Sequence, residues 1–277
     1  MRIVSLILKS TIILTMTLFS MSCSTYRYAK TDKIYKDQAK IFAKMVASMP
    51  PENQVIDSLN ADRQSWVGSV NFGIRRANFV IIHHTAQDST AQTLLTFTTP
   101  RTQVSAHYVV GRDGKIYQMV NDYLRAQHAG ESRWGNSTDL NSSSLGIELD
   151  NNGSEPYSDE QVDNLCILLA TLKKKYGIPT ANFIGHADIA PTRKPDPSNF
   201  PWEKLAKKGY GLWYDDSLEV APIDFNTTIA LRIIGYDIRN VDAAIVAFKR
   251  HFIQSDISPA LTQWDRSVLF NLYKKYL

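Results

Sequence analysis

Cysteine is almost absent from this sequence: two in 277 residues, too few for a disulfide-built scaffold. No basic run is long enough to mark a nucleic-acid surface, and a net charge of +4 is too small at this length to argue for one, so no nucleic-acid partner is expected. The low hydrophobicity of a disordered chain is missing, since 44% hydrophobic and 21% charged residues are ordinary for a globular protein. No apolar run reaches the roughly 20 residues of a membrane-crossing helix. HExxH and CxxC metal motifs are lacking too. What remains is a folded chain of one larger domain and something smaller.

An apolar stretch from Thr11 to Phe19 covers about half the length a bilayer requires. Arg2 and Lys9 come before it, and Ser20-Met21-Ser22-Cys23 follows. A charged start, a short apolar centre and small residues at a break describe a secretory signal over residues 1–22. A small residue followed by cysteine resembles the lipobox of bacterial lipoproteins, with Ser20 where leucine is more usual. That resemblance implies lipidation of Cys23, which becomes the first residue of the mature chain. Removing residues 1–22 of 277 leaves 255 and takes Arg2 and Lys9 with no acidic residue, so the charge falls from +4 to +2. Cys166 then has no partner for an intramolecular disulfide. Residues 23–69 read as a polar tether and a lead-in helix, Ile34–Met49, stopped by Pro50-Pro51.

From about residue 70 to 210, strands and helices alternate. Phe79–His84 is short, apolar and rich in β-branched residues, the pattern of a buried strand. Asp88 or Ser89 is placed to cap a short helix through Phe97. Ser105–Val110 and Ile116–Val120 flank the turn residues Gly111-Arg112-Asp113-Gly114-Lys115 and read as a hairpin. Leu145–Leu149 and Asn182–Gly185 are further strands. Between them, Ser158 and Gln161 make a capping-box pair ahead of Val162, Leu165, Cys166, Leu169, Leu172 and Tyr176 at helical spacing. Gly177 and Pro179 end that helix, and Cys166 on its apolar stripe is a core residue. The expected fold is α/β, a mixed β-sheet flanked by helices.

Five of the six histidines, His83, His84, His107, His128 and His186, fall in this segment. Gly185–Pro197 carries His186, Asp188, Lys194 and Asp196 in a loop with three prolines, which make one loop shape less costly to hold. Such a loop is able to bring His186 and a distant carboxylate to one point. A second imidazole from His83 or His84 would complete two neutral imidazoles and a carboxylate, a catalytic zinc arrangement with one position open to water. Spacing does not choose between His83 and His84, because successive strand residues face opposite ways. The competing reading is a strand-end histidine pair beside a proline-rich surface loop.

Four segments stand in order: Ile81-Ile82-His83-His84-Thr85-Ala86; Ser105-Ala106-His107-Tyr108 with Arg112-Asp113-Gly114; Leu145-Gly146-Ile147-Glu148; and Gly185-His186 through Asp196-Pro197. Together they resemble the zinc-dependent N-acetylmuramoyl-L-alanine amidases that share a fold with animal peptidoglycan recognition proteins, and most of all the outer-membrane lipoprotein amidases. The resemblance covers about residues 75–205. It implies one zinc ion per chain held by His83, His186 and Asp196, with Glu148 transferring protons and Lys194 stabilising an oxyanion. His84, Thr85 and Arg193 are implied as substrate-groove residues, while His107 and His128 receive no catalytic role. The implied reaction is hydrolysis of the amide between N-acetylmuramic acid and L-alanine in peptidoglycan or muropeptides, for cell-wall turnover. The implied setting is a Gram-negative envelope, with a monomeric outer-membrane lipoprotein facing the periplasm. Readings from other classes are a non-catalytic peptidoglycan-binding lipoprotein, a zinc peptidase cutting within the stem peptide, and an envelope tether.

Residues 222–277 show three further helical patterns. Ile229, Leu231, Ile233 and Ile234 lead to Gly235; Val241, Ala244, Ile245, Phe248 and Phe252 share a face; Val268, Leu269, Leu272 and Tyr276 lie within Leu261–Tyr276. Ile234-Gly235-Tyr236-Asp237 and Ala247–Phe252 resemble parts of a helical peptidoglycan-binding domain. The other reading is a helical cap with no ligand of its own. His251 reads as structural.

Overall fold

The computed structural model describes residues 26–48 and 74–277. The signal segment 1–22, Cys23 and the Pro50-Pro51 stop lie outside the described residues. The chain divides into two units, one up to Phe72 and one from Gly73 onward. In the first, helix α1 (Ala29–Ser48) starts at Ala29 rather than Ile34. The Tyr28 carbonyl accepts both the Asp32 amide (2.9 Å) and the Thr31 hydroxyl (2.8 Å), which carries the first turn back.

The second unit is built on a five-stranded mixed sheet in the order β3-β2-β4-β1-β5. The strands are β1 (Phe79–His84), β2 (Tyr108–Val110), β3 (Ile116–Gln118), β4 (Ser144–Leu149) and β5 (Phe183–Gly185). β1 runs parallel to β4 and β5, β2 runs parallel to β4, and the β2–β3 hairpin supplies the antiparallel edge. β1 lies between β4 and β5 and is buried on both faces, which is why Val80-Ile81-Ile82 is apolar without alternation. Val80, Ile82, Leu145, Ile147 and Leu149 pack against Leu165, Leu169 and Leu172 of the long helix Asp159–Tyr176. Ile81 and Ile184 belong to a second apolar cluster.

α2 (Thr90–Thr98) follows β1 and is capped by Ser89. Three helices of four to six residues interrupt the loops: α3 (Leu140–Ser143), α5 (His186–Ile189) and α6 (Trp202–Lys207), with Asp159–Tyr176 as α4. Such short helices carry no readable period. The capping box at α4 forms only in half. Ser158 Oγ accepts the Gln161 amide at 3.1 Å, but the Gln161 side chain turns away and donates to the carbonyls of Val110 (3.0 Å) and Asp150 (3.1 Å). The Gln161 amide bridges two buried strand-end carbonyls and leaves the helix start, because the Asp150 carbonyl would otherwise be buried without a donor, while Val110 O also accepts the Asp150 amide (2.9 Å).

α7 (Thr227–Ile234), α8 (Val241–Phe252) and α9 (Gln263–Tyr276) complete the chain, capped by Asn226, Asn240 and Thr262. Leu231, Ile234, Phe248, Val268 and Leu272 join Ile81, Ile184 and Ile189 in the second apolar cluster. Gly235 marks a close approach: its φ is +135°, and a Cβ there would stand 2.3 Å from the Trp134 ring.

Candidate active site

The topology brings the site together at the carboxyl ends of neighbouring parallel strands, where ligands bind in α/β sheets. His83 on β1 and Glu148 on β4 are register partners. Val80 and Ile82 point to the α4 side, so alternation turns His83 to the opposite face. β5 ends at Gly185 opposite Ile82, so the next residue, His186, emerges beside His83. The following loop folds back on itself. Ala190 O accepts the amides of Arg193 and Lys194 (both 2.9 Å), and the Ala187 amide donates to Asp196 O (2.7 Å). This returns the Asp196 carboxylate to the two imidazoles.

His83 Nδ1 lies 3.0 Å from His186 Nδ1, and Asp196 Oδ2 lies 3.3 Å from the first and 3.0 Å from the second. All three side chains are buried. The surrounding hydrogen bonds decide which ring nitrogens carry protons. His186 Nε2 faces the Ala129 carbonyl at 3.2 Å and must donate to it, which leaves the Nδ1 lone pair directed inward. Ser144 donates its hydroxyl to the Leu140 carbonyl, so Ser144 Oγ accepts from His128 Nε2 at 3.3 Å. His128 Nδ1 is then an acceptor for His83 Nε2–H at 3.1 Å, and the His83 Nδ1 lone pair also faces inward. Two imidazole lone pairs and a carboxylate oxygen that converge on one point repel each other unless a cation sits among them. Neutral imidazoles with one carboxylate are a donor set that suits zinc.

The imidazole shifts agree with neutral rings. Burial, with the neighbouring His186 next in importance, pushes His83 down to about 4, so its imidazole is neutral. His128 is driven well below its ordinary value, by burial first and by His83 and His107 next. Burial opposes ionisation of Asp196, yet contact with His186 and His83 holds it well below the usual carboxylate range. Glu148 goes the other way: burial, then the Asp196 charge, push it up to about 8, against the pull of Lys194. Its Oε2 is buried with no hydrogen-bond partner among the described residues. The Lys194 charge acts on Glu148, His83 and His84, less strongly than burial does, so the ammonium lies within electrostatic reach of the group.

The other residues singled out in the sequence take distinct places. His84 Nδ1 accepts the Ser198 amide at 3.2 Å and stands outside the converging set. Thr85 Oγ1 donates to the Asn151 carbonyl (3.2 Å) and accepts the Asn151 amide (3.3 Å), tying together the loops after β1 and β4. Arg193 donates to the carbonyls of Ala129 (2.9 Å) and Glu131 (2.7 Å). His107 Nδ1 accepts the Gly146 amide at 3.0 Å, and its Nε2 donates to Leu124 O at 3.1 Å, so it braces β4.

Spacing did not expose several supporting residues. Asn141 Oδ1 accepts the amides of His128 (2.9 Å) and Ala129 (2.8 Å), setting the loop that orients both inward imidazoles. Gly146 leaves room for the His128 ring, since a Cβ there would lie 2.4 Å from it. Asp188 accepts the Gly185 amide (2.7 Å), the Tyr236 hydroxyl (2.8 Å) and His251 Nδ1 (2.8 Å). His251 also stacks on Trp202, with ring centres 3.9 Å apart. Asp188, Gly146, Tyr236 and His251 stand in segments the sequence singles out, but nothing in their spacing shows these contacts, and Asn141 carries no signal at all.

A mixed α/β sheet with two imidazoles and a carboxylate at its strand ends, a carboxyl on the next strand and an ammonium beside them has the make-up of a hydrolytic centre. Residues 73–199 match the N-acetylmuramoyl-L-alanine amidase family. N-acetylmuramoyl-L-alanine amidase AmiD of Escherichia coli (strain K12) is 35% identical over 210 residues, which cover 64% of this chain and 75% of that relative. The chain belongs to this amidase family. The solved complex of E. coli AmiD with the substrate anhydro-N-acetylmuramic acid-L-Ala-D-gamma-Glu-L-Lys has a TM-score of 0.66 at 30% identity, covering 76% of this chain and 93% of that one. AmpDh3 of Pseudomonas aeruginosa in complex with anhydromuramic pentapeptide has a TM-score of 0.67 at 28% identity, covering 79% and 99%.

Proposed function

We propose that this protein is a zinc-dependent N-acetylmuramoyl-L-alanine amidase that cuts the amide between the lactyl carbonyl of N-acetylmuramic acid and L-alanine in peptidoglycan or muropeptides. The observation that carries the reading is the convergence of the His83, His186 and Asp196 donor atoms, all within 4.8 Å of one another. These three would hold the zinc ion, which when bound supplies Lewis-acid polarisation and a water acidic enough to react near neutral pH. The hydrogen bonds through His128 and Ala129 keep both imidazoles in the ligating tautomer. Glu148, on the adjacent strand with one oxygen unpartnered, takes the proton of the attacking water and returns it to the leaving alanine nitrogen. Lys194 offers its ammonium to the oxyanion as the carbonyl becomes tetrahedral. His84, Thr85 and Arg193 belong to the groove beside this centre.

We further infer an export signal over residues 1–22 and lipidation at Cys23, with the protein held on the outer membrane of a Gram-negative envelope and facing the periplasm. The short apolar stretch Thr11–Phe19, followed by Ser20-Met21-Ser22-Cys23, supports this reading. Within it, residues 70–210 are the catalytic domain, residues 222–277 a helical unit that engages peptidoglycan, and the working form is a monomer. Protein stripped with a chelator loses activity on muropeptides and regains it with zinc. Full activity after stripping overturns the metal assignment.

A further inference from the structure

α1 (Ala29–Ser48) is a 20-residue helix, about 30 Å long, whose two sides differ sharply. At 100° per residue, Ile34, Ile41, Phe42 and Val46 fall within an arc of about 140°. Lys30, Lys33, Lys36, Lys40 and Lys44 occupy an arc of about 120° on the opposite side. Two aspartates, Asp32 and Asp37, oppose those five lysines, so the helix is net basic. The four apolar side chains are between 45% and 78% exposed, a state a soluble helix does not keep at no cost. No described helix, α1 included, is long and apolar enough to cross a membrane. An exposed apolar stripe backed by lysines, with low overall hydrophobicity, is the composition of a helix that lies in the plane of a bilayer surface.

We propose that α1 docks on an anionic phospholipid surface, with the Ile34–Ile41–Phe42–Val46 stripe in the acyl boundary and the lysines at the headgroups. Position in the chain argues for this occupant. Cys23 lies six residues before Ala29, so a lipid chain on it would already hold the helix at the bilayer. The inference therefore rests in part on the lipoprotein reading above. Charge argues the same way, since lysines near an anionic headgroup layer gain electrostatically while the buried stripe gains by leaving water. A basic amphipathic segment would add apolar and electrostatic hold to any acyl anchoring at Cys23.

The test separates the helix from the lipid. The chain from Ser24 to Leu277, which has no anchor cysteine, is mixed with vesicles of three parts phosphatidylethanolamine to one part phosphatidylglycerol, and with vesicles of phosphatidylcholine alone. The proposal expects co-sedimentation with the anionic vesicles, weaker in high salt, and little with the neutral ones. Ile41→Asp with Phe42→Asp should lower anionic-vesicle binding about tenfold or more while leaving turnover of soluble muropeptide unchanged. Lys36→Gln with Lys40→Gln should weaken binding to anionic vesicles alone. Absence of vesicle binding, or equal binding by the Ile41→Asp/Phe42→Asp protein, overturns the proposal. A concentration-dependent dimer in sedimentation velocity that those aspartates abolish, without vesicle binding, overturns it too and assigns the stripe to a second copy. Mass spectrometry of the full-length protein reads lipidation at Cys23 independently, so failure of the anchor and failure of the helix give different results.

Discussion

At the scale of single residues, the site works through pairs whose members are individually unremarkable. Glu148 is a carboxyl whose burial, and the nearby Asp196 charge, push it up to about 8 from an ordinary 4.5. In metal-free protein this has a definite sign. Between about pH 4.5 and 8 the folded chain keeps a proton that the unfolded chain has released, so its contribution to stability falls as pH rises through that window. His83, His107 and His128, held neutral by burial, act in the opposite sense up to about pH 6.5, so the Glu148 contribution is read between about pH 6.5 and 8. Thermal melts of the metal-free protein should fall across that range, and Glu148→Gln should flatten the fall; an unchanged slope removes Glu148 as its source. The same substitution in zinc-loaded protein should keep the metal, by elemental analysis, and lower turnover by about 10²–10⁴-fold. His128 accepts His83 Nε2–H at 3.1 Å, which turns the His83 Nδ1 lone pair inward, without itself joining the converging set. His128→Phe should therefore weaken zinc affinity by about 10–100-fold in a competition titration, and unaltered affinity would show that the relay through Ser144 and His128 does not matter.

At the scale of elements, the turn carrying His186 is held from the far end of the chain. Asp188 lies one half-turn beyond His186 in α5, is buried, and accepts Tyr236 from the loop after α7 and His251 from α8. Helices that pack only by apolar contact would not need this. Here the C-terminal helices hold the His186 turn as well as filling the core beside Ile81 and Ile184. Asp188→Asn places an amide where three donors converge, and should cost a few kcal/mol in a denaturant melt while lowering zinc affinity. Tyr236→Phe removes one of the three bonds and should cost about 1–2 kcal/mol with a smaller effect on zinc. If Asp188→Asn alters stability alone, the C-terminal helices support the core and not the site.

At the scale of the whole molecule, what could be read from the sequence follows from where the information resides. β1 and α4 announce themselves through local pattern: an uninterrupted apolar run for a strand buried on both faces, and helical spacing between Ser158 and Gly177. The short helices and the true ends of β2 and β3 depend on distant hydrogen bonds and leave no period. In the site, residue types suggested a metal, but spacing left His83 and His84 undecided. The strand alternation settles which of them faces His186. Asp188 meets Tyr236 and His251 across 48 and 63 residues, a separation at which a single sequence carries no signal. The central claim is the bond that is cut. Mass spectrometry of a defined muropeptide after incubation with zinc-loaded protein tests it most directly. The account predicts an intact stem peptide beginning with L-alanine together with the free muramic sugar, and a product cleaved within the stem peptide would contradict it.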